Sequence, residues 1–244
     1  MRFKLAIAIA LFSAAIHAHA DEGSILTSLR AGLAEKPTAV RETLLPGIYG
    51  VYFNANEPRA FVDGKLSILG NHATGYAFLS GPRRGQDVSP QDSQRMFREF
   101  IAAIPKERLI TYRYGNGSRE VFLFTAYDCP NCRQLEKELA SQTNSLNATV
   151  YLIPTALRYN TDPGTRPILR ALLCTQNRNE AWTSLIMKGT VPKAANCQEN
   201  PDDFAYLSRS FPVRFPTSVP TAVTPDGKIY PLVLAKFDEI FRGH

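Results

Sequence analysis

Apolar and polar positions change their rhythm along this chain. Leu5 to Ile16 is almost continuously apolar. Ile25, Leu26, Leu29 and Leu33 then recur at helical spacing, which predicts a short amphipathic helix. The runs Ile48–Phe53, Ala60–Val62, Leu66–Leu69 and Tyr76–Leu79 are rich in β-formers, and Asp63-Gly64 between the second and third predicts a two-residue hairpin turn. Gly81-Pro82-Arg83-Arg84-Gly85 reads as a linker. Ser89 then predicts a helix cap, with Pro90 at the first helical position and Asp92 three residues after the cap. Met96, Phe97, Phe100, Ile101 and Ile104 share one face of that helix, and Pro105 ends it. The pattern fits either a solvated connector or a helix docked on the next domain.

From Leu109 onward strand and helix patterns alternate. Val121–Phe124 is apolar throughout, as a central strand covered on both faces would be. Cys132, Leu135 and Leu139 recur at helical spacing, and Val150–Ile153 is a second buried strand. Pro225-Asp226-Gly227 separates two short β-runs as a turn would, and Phe237, Ile240 and Phe241 predict a closing helix. A small β-rich unit followed by an α/β unit gives the class α+β. The β-rich unit buries little surface alone, so its sheet must pair with a second copy or pack on the rest of the chain.

The first apolar run is too short for a membrane span. Arg2 and Lys4 precede it and Ala18-His19-Ala20 closes it, the order of a secretory signal peptide cleaved after Ala20. Such a leader predicts an exported bacterial protein in an oxidising periplasm. Over 244 residues the charge is +6, without any basic run, which argues against nucleic acid as a partner.

The candidate chemistry lies in Cys129-Pro130-Asn131-Cys132, directly after the apolar strand. Two thiols three positions apart at a strand-to-helix junction can close into a reactive disulfide. The free N–H groups and positive dipole end of the helix favour a thiolate at its tip, and only a thiolate attacks another disulfide. The helical spacing turns Cys132 inward and leaves Cys129 reachable. A four-thiolate zinc site would want a second close pair, whereas Cys174 and Cys197 stand far apart. Beyond the leader the histidines are His72 and His244, so no metal and no cofactor is expected, and His72 reads as a surface or turn residue.

In this order the chain resembles the DsbC/DsbG family of periplasmic disulfide isomerases. The resemblance rests on the leader, the small β unit, the helix from Ser89 to Ile104, and Phe124-Thr125-Ala126-Tyr127-Asp128 before the cysteine pair. It also rests on Cys174 and Cys197 around Trp182, and on Val219-Pro220-Thr221 before the last hairpin. It implies a signal peptide over 1–20, a dimerisation domain over 21–86, a linker helix over 87–107, and a thioredoxin-like catalytic domain with a helical insertion over 108–244. Cys129 would be the nucleophile and Cys132 the resolving thiol. Val219 and a cis Pro220 would bind substrate, and Cys174–Cys197 would be a structural disulfide tying the insertion. The implied partners are misfolded exported proteins with wrong disulfides, a second copy of the chain, and a membrane reductase of the DsbD type. Leu123 stands where thioredoxins carry a buried acid, and Asp128 beside the nucleophile would oppose its ionisation. Val219 stands where the isomerases carry threonine and resembles the oxidase DsbA, and Pro130-Asn131 also departs from the isomerase dipeptide. The alternatives are therefore a DsbA-like oxidase, or a chaperone dedicated to an exported assembly such as a pilus or secretion apparatus.

Overall fold

The computed structural model describes residues 21–54, 56–71, 75–193, 196–211, 215–216 and 218–242. The leader over 1–20, His72 and His244 lie outside the described residues.

Helix α1 (Glu22–Gly32) is capped by Asp21, whose carboxylate accepts the Ser24 N–H at 2.9 Å. Strands β1 (Ala39–Glu42), β2 (Ile48–Tyr52), β3 (Ala60–Asp63), β4 (Ile68–Asn71) and β5 (Gly75–Phe78) form an antiparallel meander in sequence order. Alternation along the strands gives this sheet two apolar faces. Val40, Tyr49, Val51 and Val62 pack with Ile25 and Leu29 of α1. Ile48, Phe61, Ile68 and Tyr76 turn the other way, into a core shared with the rest of the chain. Packing within the chain thus covers both faces.

Two local expectations are corrected. The β3–β4 connection is longer than a two-residue turn, because the Asp63 carboxylate accepts the N–H groups of Ser67 and Ile68 at 2.7 and 2.9 Å. Leu66 sits in the left-handed region at φ 52°. The Gly81–Gly85 stretch is a turn rather than a linker: Phe78 N–H donates to Gln86 C=O at 3.0 Å and Val88 N–H to Tyr76 C=O at 2.7 Å, so the chain folds back along the β5 edge.

Helix α2 (Pro90–Ala103) starts at Ser89, whose hydroxyl accepts the Asp92 N–H at 3.1 Å, with Pro90 in the first turn. It is docked. Phe97 and Ile101 are fully buried. The Phe97 ring meets Phe211 edge-on at 4.9 Å and Phe215 at 6.2 Å. Tyr76 also donates from its hydroxyl to the Arg209 carbonyl at 3.1 Å, and Arg209 pairs with Glu57 at 2.9 Å.

The second sheet contains β6 (Ile110–Arg113), β7 (Arg119–Ala126), β8 (Ala148–Thr155), β9 (Thr221–Val223) and β10 (Ile229–Tyr230), in the spatial order β10-β9-β7-β8-β6. The central strand β7 runs parallel to β8 and antiparallel to β9. Helix α3 (Pro130–Ser141) is the crossover between β7 and β8. Helices α4 (Thr165–Leu173), α5 (Arg178–Lys188) and α6 (Pro201–Ala205) form the insertion before β9, and α7 (Phe237–Phe241) closes the chain. Successive β7 residues serve opposite layers. Val121 and Leu123 pack with α3 and α7, while Phe122 and Phe124 face the core that reaches α2 and the first sheet. Gly227, at φ 86°, supplies the positive φ of the β9–β10 turn. No described helix is long and apolar enough to cross a membrane.

Candidate active site

Strand β7 delivers the cysteine pair to the carboxyl end of the central strand, where open α/β sheets place their chemistry. A tight turn follows Ala126, with Cys129 N–H donating to the Ala126 carbonyl at 3.3 Å. Cys129 then serves as the N-cap of α3. Its sulfur accepts the Cys132 N–H at 3.3 Å, in the role a serine or aspartate oxygen usually takes. Pro130, in the first helical turn, has no N–H to leave unpaired. Both thiols are free.

Their surroundings differ. Cys132 is fully buried and its sulfur accepts the Ala126 N–H at 3.4 Å. Burial, reinforced by the neighbouring Cys129, pushes its thiol up to about 12. Cys129 is 4 % exposed, more enclosed than a helix-tip position leads one to expect. The Val219-Pro220 segment accounts for part of that cover: the Cys129 thiol lies 3.5 Å from the Val219 carbonyl, and the peptide bond between Val219 and Pro220 is cis. Val219 also lines a cavity of about 330 Å³, together with Phe124, Ala156, Leu157, Phe204 and Phe215 among others. Leu157 on its rim is an exposed apolar residue.

Asp128 is bonded to the segment that follows β8. Its carboxylate accepts the Leu157 N–H at 2.7 Å and the Arg158 N–H at 3.4 Å, and Arg158 Nε lies 3.6 Å away. Two backbone donors and one guanidinium thus offset the charge that the sequence sets beside Cys129. Leu123 is fully buried in the apolar layer under α3.

Cys174 and Cys197 are bonded to each other, with Cα atoms 5.5 Å apart. The link encloses α5, and α5 holds α3 by two hydrogen bonds. Arg133 Nε donates to the Ile186 carbonyl at 2.8 Å, and Trp182 Nε1 donates to Glu136 Oε1 at 2.8 Å. Burial pushes the Glu136 carboxyl up to about 7, with the Trp182 N–H acting in the other direction. Around the disulfide, Arg108 pairs with Glu199 and Asp203 at 2.6 and 3.0 Å, and Arg178 with Glu199 at 3.0 Å.

The sequence pointed to both cysteine pairs and to Val219 and Pro220. It missed the Glu136–Trp182 bond, the backbone donors to Asp128 and the phenylalanines beside the cavity. These join residues far apart in the chain, and only the lone tryptophan offered a signal.

The thioredoxin-like domain family matches residues 106–233, more than half of the chain. The chain belongs to the thioredoxin-like domain family. Within it, the DsbC/DsbG resemblance agrees with the curated relatives. The "probable thiol:disulfide interchange protein DsbC" of Bordetella pertussis is 27 % identical over 132 residues, covering 52 % of this chain and 45 % of that protein. Its Bordetella parapertussis counterpart is 24 % identical over 129 residues, covering 53 % and 44 %. The chain thus spans about half the length of the curated relatives it matches. A crystal structure of a disulfide interchange protein from Neisseria gonorrhoeae is 28 % identical, covers 51 % of this chain and 85 % of that one, and superposes with a TM-score of 0.43.

Proposed function

We propose that the chain is a periplasmic thiol–disulfide exchange enzyme that isomerises or reduces non-native disulfides in exported proteins. The observation that carries this reading is the asymmetry of one close pair. Cys129 caps a helix, receives a backbone N–H at its sulfur and lies beneath the Val219 carbonyl, while Cys132 is fully buried and hard to ionise. The first arrangement suits a nucleophile, and the second suits a thiol that acts only once a mixed disulfide has formed beside it. The Cys129 thiolate attacks a substrate disulfide and becomes joined to one substrate sulfur. Attack by another substrate thiol completes isomerisation. Otherwise Cys132 attacks Cys129, and the substrate leaves reduced. An extended substrate segment would lie along Val219 and Pro220 beside the cavity.

Isomerisation needs a reduced pair at rest, so a DsbD-type membrane reductase is the partner of this reading. A chaperone role would draw on the apolar rim at Leu157 and the cavity beneath it. Pairing of two copies through the first sheet would draw on the β1 edge, since both faces of that sheet and the β5 edge are occupied within one chain. Light scattering at a mass of two chains supports that pairing, and a mass of one chain removes it.

A second reading is a DsbA-like oxidase. It draws on Val219, whose carbonyl lies 3.5 Å from the Cys129 thiol in the position where sulfur contacts tune the redox potential. Two experiments decide. Purified protein should reactivate scrambled ribonuclease, and Cys129→Ala should abolish this; unchanged reactivation in the variant would remove both readings. Thiol trapping in cells then separates them: a mostly reduced pair supports the isomerase, and a mostly oxidised pair supports the oxidase.

A further inference from the structure

Thr125 is the penultimate residue of β7 and is fully buried. Its hydroxyl has no hydrogen-bond partner among the described residues. A buried hydroxyl without a partner is destabilising, and a central strand would be served better by the isosteric valine. The Thr125 hydroxyl favours the ionised form of the Cys132 thiol. The next residue, Ala126, already directs its N–H at the same sulfur from 3.4 Å. The strand end therefore presents two donors to a sulfur that, as a neutral thiol, is a weak acceptor. A thiolate is a strong one.

We propose that the Thr125 hydroxyl is the donor that receives the Cys132 thiolate, and that it sets how fast the mixed disulfide at Cys129 is resolved. This rests on the exchange reading above and adds a residue to its second half. In that step a Cys132 sulfur lone pair forms a bond to Cys129 Sγ, and the bond from Cys129 Sγ to the substrate sulfur breaks. The substrate sulfur leaves with the electron pair and takes up from solvent the proton that Cys132 released to it. The cysteine pair is oxidised by two electrons and the substrate disulfide is reduced by two. The hydroxyl is needed only while negative charge resides on Cys132, which explains its unpaired state between turnovers.

The test uses reduced protein, Thr125→Val and Thr125→Ser, each mixed with glutathione disulfide, quenched in acid at intervals and weighed by mass spectrometry. Formation of the Cys129–glutathione adduct should proceed at the same rate in all three. Its conversion to the Cys129–Cys132 disulfide should slow about tenfold in Thr125→Val, as for one unit of change in the thiol's ionisation. The pH profile of that conversion should move upward, and Thr125→Ser should restore both. Thr125→Ala, which cannot crowd the strand, reads the same loss should valine disturb it. Conversion at the unaltered rate in both hydroxyl-free variants overturns the proposal, as does a failure of serine to restore it. Absence of any adduct in the unaltered protein overturns the exchange reading itself, and the proposal with it.

Discussion

The two cysteine pairs show how one element yields opposite behaviour. Cys129 and Cys132 are free thiols on one helical turn, held by backbone donors from β7 and α3. Cys174 and Cys197 are 23 positions apart and bonded, amid the ion pairs of Arg108, Arg178, Glu199 and Asp203. A short separation at a helix tip supplies electrostatic help to one sulfur and keeps the partner close. A long separation closes a loop, which disfavours the unfolded chain. Separation and setting divide the free pair from the bonded one, and the sequence pattern carries much of that division.

The contrast can be broken most sharply through Cys129. Cys129→Ser should lower insulin reduction by on the order of 10³-fold or more, while Cys174→Ala with Cys197→Ala keeps the rate within the same order. Equal losses in both would erase the distinction. The double alanine variant should instead lose about 2–4 kcal/mol of stability in chemical denaturation, as expected for closing a loop of this length. Glu136 joins the two regions, because it ties the helix of the first pair to the helix enclosed by the second. Its carboxyl is raised from the ordinary 4.5 to about 7, so the folded state holds a proton that the unfolded state has lost between those values. Stability therefore falls as pH rises from about 5 to 8, by at most about 3 kcal/mol. Glu136→Gln keeps an acceptor for Trp182 and should flatten that fall, measured as thermal midpoints across the range. A variant with the same slope as the unaltered protein would remove Glu136 as its source.

The cysteine motif was legible because strand, turn and helix tip are local patterns. So were α1, α2, the central strand and the last hairpin. The β3–β4 turn was misread because one aspartate side chain, Asp63, bonds backbone N–H groups four and five residues on, which no dipeptide rule contains. The runs of β2 and β3 read as strands without reporting what covers the two faces of their sheet. Phe211 and Phe215 follow no period at all, yet they join α2 to Phe124 beside the cavity. Thr125 looked like one more β-branched strand residue. Its interest comes from the Cys132 sulfur, across a turn whose path spacing alone does not give.

The docking of α2 also limits how the molecule can be cut. Phe97 and Ile101 belong to the core shared with the thioredoxin-like domain although they precede the matched segment 106–233. A fragment begun at that boundary would present a raw greasy flank to water and clump before its chemistry could be assayed. The upstream part of the chain is thus a structural lid on its neighbour, whatever else it binds.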